Sequence, residues 1–314
     1  MDAVRKQTQA ECEDVFANLP VTIQALLPAV LAHKDKILSV ERKTYQYGGT
    51  DRHQLDIYYP PTSSASPRPI LFWAYGGGFV SGERVLPESQ GLVHTTIGAF
   101  FARKGFVVVI PDYRLAPSAQ FPAQAEDIRD AILWVIQHAS STLSTPSVKL
   151  DAETLVAMGH SAGAVNVATA YLLPEILQGT DIARRTKALV LQSGLYVFEI
   201  DGVAPAVPPP VLAQYFGPTE LQKKREPLAL LRALSDEQVS ALPLLLLVDA
   251  EKEPQGVVRS EELFRQLWKR RRDESEVLRI VARGHNHISV NWVLGTGDGE
   301  EWAEEVAKWL GDTL

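Results

Sequence analysis

Gly159-His160-Ser161-Ala162-Gly163 is the stretch that decides the fold of this chain. The apolar run before it, residues 154–158, predicts a buried strand, and residues 164–173 after it predict a helix. A Gly-x-Ser-x-Gly on a strand-to-helix turn is a nucleophile elbow. The turn is tight, so the positions two before and two after the serine must be small. The hydroxyl of Ser161 then stands above the sheet edge, within reach of a base. The first amides of the following helix point at the same spot, where an oxyanion would form.

Working outward, strand-like and helix-like segments alternate. Upstream, residues 54–59 alternate like a strand, and residues 70–75 form an apolar strand running straight into Gly76-Gly77-Gly78-Phe79. Consecutive glycines permit positive φ and leave backbone amides uncovered, as a loop presenting donors to a developing negative charge requires. A helix over 96–104, a strand over 106–110 and a helix over 122–139 follow, with Asp112-Tyr113-Arg114 between the last two; Asp112 and Arg114 suggest a pair that holds the glycine loop. Downstream, strands are expected at 188–192, 243–248 and 277–281, and helices at 259–272 and 300–314. Residues 195–241 carry prolines clustered at 205, 208, 209 and 210 and no strand pattern, which predicts a helical insertion covering the site. Residues 1–45 read as amphipathic helix broken at Pro20 and Pro28, a possible lid.

This alternation predicts an α/β fold: a mostly parallel sheet with helices on both faces, in a domain spanning 46–314 with a lid around 195–241. In such sheets the site lies at the C-terminal strand ends. The glycine loop, Ser161, the acidic cluster Asp249-Ala250-Glu251-Lys252-Glu253 and the pair His285 and His287 all fall there. A serine hydroxyl needs a base, so one of the two histidines must reach Ser161. An acid must orient that imidazole, and Asp249, Glu251 and Glu253 are the candidates.

Composition narrows the class. The 314 residues are 46% hydrophobic and 22% charged, with net charge −7, which disfavours a nucleic-acid partner. Cys12 is the single cysteine, so no intrachain disulfide forms. The first residues lack the apolar core of a signal peptide, and no unbroken apolar run approaches the length of a membrane span. A cytoplasmic protein is the expectation. His285-Asn286-His287 lacks a third partner at metal-ligand spacing, so no metal is expected.

The order of glycine-triplet loop, Gly-x-Ser-x-Gly, acid and histidine resembles the α/β-hydrolases, in the esterase/lipase branch similar to hormone-sensitive lipase. Tyr75-Gly76-Gly77-Gly78-Phe79 stands where that branch has His-Gly-Gly-Gly-Phe, and Asp112-Tyr113-Arg114-Leu115-Ala116-Pro117, Phe121-Pro122 and Asp127 match its next block. The resemblance covers roughly residues 54 to 314. Tyr75 in place of histidine departs from the pattern, at a position that supports the loop. A weaker similarity to kynurenine formamidase-like members rests on the His287-Ile288 ending. The resemblance implies His287 as the base, three residues after Gly284, with His285 as alternate. It implies Glu253 as the acid, from the residue before the proline, where the family usually has aspartate; Glu251 and Asp249 are alternates. It further implies oxyanion donors at the amides of Gly77, Gly78 and Ala162.

The expected function is hydrolysis of a small-molecule carboxylic ester of small to medium acyl chain through an acyl-enzyme, without a cofactor. An amidase, formamidase or acyl-thioester hydrolase would use the same groups. A ligand-binding protein on the hydrolase fold is a further alternative. The sequence leaves the oligomeric state open.

Overall fold

The computed structural model describes residues 1–272 and 277–314. Among them run eight strands: β1 (Arg42–Gln46), β2 (Gln54–Tyr58), β3 (Arg68–Ala74), β4 (Val107–Pro111), β5 (Leu150–His160), β6 (Thr186–Gln192), β7 (Leu244–Lys252) and β8 (Leu278–Asn286). They form one sheet in the order β1-β2-β4-β3-β5-β6-β7-β8. β1 and β2 are antiparallel to their neighbours; every pairing from β4 to β8 is parallel. All five residues of β4 are buried. Successive side chains on a strand point to opposite faces, so both faces of the sheet are covered, as a parallel sheet requires.

Four helices precede β1: α1 (Asp2–Arg5), α2 (Gln9–Cys12), α3 (Val15–Ala32) and α4 (Lys34–Leu38). Between the strands lie α5 (Thr95–Arg103), α6 (Ala123–His138), α7 (Ala162–Leu172), α8 (Pro174–Leu177) and α9 (Ile182–Arg185). The segment between β6 and β7 supplies α10 (Pro209–Phe216), α11 (Thr219–Arg225), α12 (Pro227–Ala233) and α13 (Asp236–Ser240), and α14 (Gln255–Arg271) and α15 (Glu301–Thr313) flank β8. α5 packs on β4, α7 on β5 and α15 on β8.

The N-terminal segment differs from the sequence expectation in three ways. Residues 42–46 are not helical but form β1, an edge strand whose residues are mostly exposed, so no apolar alternation marks it. α3 runs unbroken through Pro20 and Pro28. Both prolines are exposed, while Asn18, Thr22, Leu26 and Val30 lie buried on the opposite face. A proline removes one helical amide bond, and the packing of that four-residue stripe holds the helix together across both losses. Third, α3 carries no charged residue, and its mean hydropathy of 1.7 over 18 residues makes it long and apolar enough to cross a membrane. Asn18, Thr22 and Gln24 interrupt its apolar run, so no unbroken apolar stretch of that length marks it in the sequence.

Candidate active site

The elbow is built by steric necessity. Ser161 sits between β5 and α7 at φ 53°, ψ −122°. A Cβ on Gly159 would lie 2.6 Å from the carbonyl oxygen of Gly163, and one on Gly163 would lie 2.2 Å from that of Ala74. Only glycine fits either place. The Ser161 amide donates to the Gln192 carbonyl at the end of β6 (2.8 Å), which fixes the serine against the neighbouring strand.

The other two functional groups arrive by strand register. Lys252, the last residue of β7, pairs with Asn286, the last residue of β8. The residues that follow, Glu253 and His287, therefore emerge side by side. The Ser161 hydroxyl lies 2.9 Å from Nε2 of His287, and Nδ1 of His287 lies 2.6 Å from Oε2 of Glu253. A carboxylate accepts only, so Nδ1 carries the proton it donates and Nε2 is left to accept from Ser161. The second oxygen of Glu253 accepts from the Ala250 amide (3.1 Å). Glu253 and His287 are buried, and Ser161 is half-buried. A serine so placed can pass its proton to the imidazole as it attacks.

The alternates are engaged elsewhere. Both ring nitrogens of His285 are taken, by Ser289 Oγ (3.0 Å) and the Gly299 carbonyl (2.8 Å), and burial lowers its pKa to about 4. Glu251 accepts from the Gly284 amide (2.7 Å). Asp249 is paired with Arg279 (2.8 Å), and burial, reinforced by the neighbouring Glu261, raises its pKa well above the carboxylate range.

Tyr75 accounts for its departure from the family pattern. Its hydroxyl donates to Asp112 (2.8 Å) and accepts from Arg52 (2.8 Å). Its ring stacks between His94 at 5.3 Å and Tyr113 at 4.7 Å, and the Tyr113 hydroxyl donates back to the Tyr75 carbonyl (2.6 Å). The start of the glycine loop is thus pinned on three sides. The expected Asp112–Arg114 pair does not form. Asp112 pairs with Arg84, while Arg114 makes a bidentate pair with buried Asp127 on α6 (Nε to Oδ2 2.9 Å, Nη2 to Oδ1 2.6 Å). Arg84 lies at the exit of the glycine loop, so it reaches the carboxylate that Tyr75 also holds.

Past the anchor, Gly77 and Gly78 take φ of 139° and 59°. A Cβ on Gly77 would lie 2.0 Å from the Ser81 carbonyl oxygen, and one on Gly76 would lie 2.9 Å from Cβ of Ser161. The loop thus approaches the serine as closely as backbone can. Among the described residues, the amides of Gly77, Gly78 and Ala162 donate to no protein acceptor.

Above the serine, the segment between β6 and β7 closes down. Ala162 and Val165 join one apolar cluster with Phe79, Leu195, Phe198, Leu212, Tyr215 and Phe216. Tyr215 stacks on Phe79 at 5.3 Å, and Phe216 meets its edge at 5.0 Å. A cavity of about 40 Å³, lined by Leu195, Phe198 and Ala206 among others, adjoins this cluster. The elbow's own His160, buried with its ring 5.0 Å from that of His287, donates Nε2–H to the His287 carbonyl (2.9 Å). Burial first, and His287 beside it second, hold its pKa well below the usual value, so it stays neutral.

Sequence reasoning missed Gln192, Arg84, Gln9 and the role of His160. Gln192 is signalled only as the last residue of a strand next to the elbow strand. The other three act on backbone groups or on partners far away in the chain, which no local pattern marks.

Residues 55–239, more than half of the chain, match the BD-FAE family. The non-reducing polyketide synthase pkbA of Emericella nidulans is 33% identical over 141 residues, covering 42% of this chain and 5% of that protein. Esterase LipI of Mycobacterium tuberculosis is 34% identical over 108 residues, covering 34% of this chain and 30% of that protein. The matched stretches therefore span less than a third of these relatives' own lengths. A hyperthermophilic esterase from the archaeon Pyrobaculum calidifontis superposes with a TM-score of 0.67 at 22% identity, over 95% of this chain and 93% of that one. At that identity the likeness is one of fold. With the elbow, the parallel sheet and the family match on one chain, the protein belongs to the BD-FAE family, on a fold it shares with solved esterases.

Proposed function

We propose that the protein is a serine hydrolase that cleaves a carboxylic ester of small to medium acyl chain through an acyl-enzyme. The observation that carries this is the unbroken row from the Ser161 hydroxyl through His287 to Glu253 (2.9 and 2.6 Å). Ser161 Oγ attacks the acyl carbonyl carbon while His287 Nε2 takes its proton. Glu253 holds the imidazole by Nδ1 and stabilises it when charged. The carbonyl oxygen gains negative charge and takes hydrogen bonds from the amides of Gly77, Gly78 and Ala162. The C–O bond to the alcohol breaks, and His287 returns the proton to the leaving oxygen. Water then repeats the sequence on the acyl-enzyme: His287 takes its proton, and Ser161 is released with the free acid.

The aromatic cluster that Ala162 joins supports a short acyl group. The kinship to esterase LipI supports an ester as the substrate class. The test is hydrolysis of p-nitrophenyl esters from acetate to decanoate, with the matching anilides and thioesters, by the wild type and Ser161→Ala. Turnover of the shorter esters by the wild type, lost by about three to six powers of ten in Ser161→Ala, is the expected result. Unchanged turnover in that variant refutes the proposal.

A further inference from the structure

The hydrogen-bonded row has an unexpected neighbour: the first 22 residues bind the backbone and side chains that flank it. Lys252 immediately precedes Glu253, and its ammonium donates to three carbonyls of one short segment, those of Val4 (3.0 Å), Arg5 (2.6 Å) and Gln7 (2.6 Å). An ammonium has three N–H groups, so this nest satisfies all of them. Gln9 donates to the carbonyl of Glu253 itself (2.6 Å), and Glu13 accepts from the Gln255 amide (3.0 Å).

On the other side, Asn286 immediately precedes His287 and is fully buried. Its two amide hydrogens go to the side chains of Gln7 (2.6 Å) and Thr22 (2.9 Å). Its side-chain oxygen accepts from the amides of Ile288 (3.0 Å) and Ser289 (2.8 Å), closing the turn that carries His287. Gln7 in turn donates to Asn18 of α3 (2.9 Å). Because Lys252 and Asn286 are paired in register across β7 and β8, one N-terminal segment grips both strand ends at the points where the acid and the base leave them.

We propose that residues 1–22 form a brace for Glu253 and His287, with Lys252 and Asn286 as its positioning residues. This rests on the hydrolase reading, but it makes a separate claim. The N-terminal segment is part of the machinery that sets the imidazole's geometry, rather than a lid that moves over it. Displacing a reacting group by about 1 Å from a remote site costs on the order of 100-fold in rate, so a loosened brace acts on turnover rather than on binding.

The test compares Lys252→Met, which keeps the stem and loses the donors, with Lys252→Arg, which keeps charge and donors. On a p-nitrophenyl ester, Lys252→Met is expected to lower kcat about 10- to 100-fold with KM within about twofold, and Lys252→Arg to recover most of it. Gln9→Ala removes the bonds to the Glu253 carbonyl and to Glu13 (2.9 Å) while leaving the Lys252 nest in place, and keeps the test open if Lys252→Met unfolds; a fall of a few-fold in kcat is expected. Proton NMR supplies a readout that needs no turnover. The low-field resonance of the Nδ1–H shared by His287 and Glu253 is expected to be sharp in the wild type and broadened or shifted in Lys252→Met. Unchanged kcat in folded Lys252→Met and Gln9→Ala, or an imidazole resonance identical to the wild type's, overturns the brace. Absence of ester turnover in the wild type counts against the hydrolase reading alone and leaves the resonance to decide the brace.

Discussion

Glu253→Gln isolates the contribution of one charge. In the proposed mechanism His287 becomes an imidazolium in the transition state, and its Nδ1 lies 2.6 Å from buried Glu253. With charge centres about 4 Å apart and an effective dielectric near 20, the attraction is worth about 4 kcal/mol. At about 1.4 kcal/mol per tenfold, losing it slows the reaction on the order of 1,000-fold. The amide adds a second penalty. Glu253 accepts from both His287 and Ala250, whereas one end of a glutamine amide can only donate, so two donors must face each other on one side. The assay is kcat and KM on p-nitrophenyl acetate, with Glu251→Gln measured alongside. Glu251 only accepts from the Gly284 amide, so its variant is expected to stay within about threefold of wild type. The reasoning is refuted if Glu253→Gln keeps more than a tenth of wild-type kcat/KM, or if Glu251→Gln loses as much.

Other consequences can be read from single groups. Gly77→Ala places a Cβ 2.0 Å from the Ser81 carbonyl oxygen at a φ of 139°, so the loop must move and kcat is expected to fall about 100-fold or more in protein that remains folded by circular dichroism. Tyr75→Phe deletes a hydroxyl that serves Asp112 and Arg52, and urea unfolding is expected to show a loss of about 1–3 kcal/mol. His94 and His285 are buried with pKa values lowered from 6.5 to about 4. The unfolded chain binds these protons first, so each histidine's contribution is intact above pH 6.5 and is lost as pH falls from there toward 4. About 3 kcal/mol per group is expected over that window, and a urea midpoint that stays flat between pH 7 and pH 4 would contradict it.

What the sequence disclosed and what it hid have physical reasons. The elbow was legible because its glycines answer a local steric demand: the clashes at Gly159 and Gly163 lie within the turn and its neighbouring strand end. The central strands were legible because both their faces are buried, leaving continuous apolar runs. β7 and β8 were read too short, at 248 and 281, because their last residues are polar and continue the ladder by backbone pairing alone. That extension sets which of two histidines meets Ser161, and which of three acids within five residues meets that histidine. The residue pattern left this open, and the resemblance favoured Glu253 and His287. Arg84 as the partner of Asp112, the continuity of α3 through its prolines and the grip of Lys252 on residues 4–7 are long-range contacts, and no local spacing encodes them.

The central claim is that Ser161 is a nucleophile activated by His287. Intact-protein mass spectrometry after treatment with a p-nitrophenyl alkylphosphonate tests it without assuming any natural substrate. The account predicts one phosphonyl group per chain, mapped to Ser161, with one p-nitrophenolate released for each. It predicts no adduct in Ser161→Ala and a far slower one in His287→Ala. An unmodified wild-type chain, or an adduct that persists in Ser161→Ala, would contradict it.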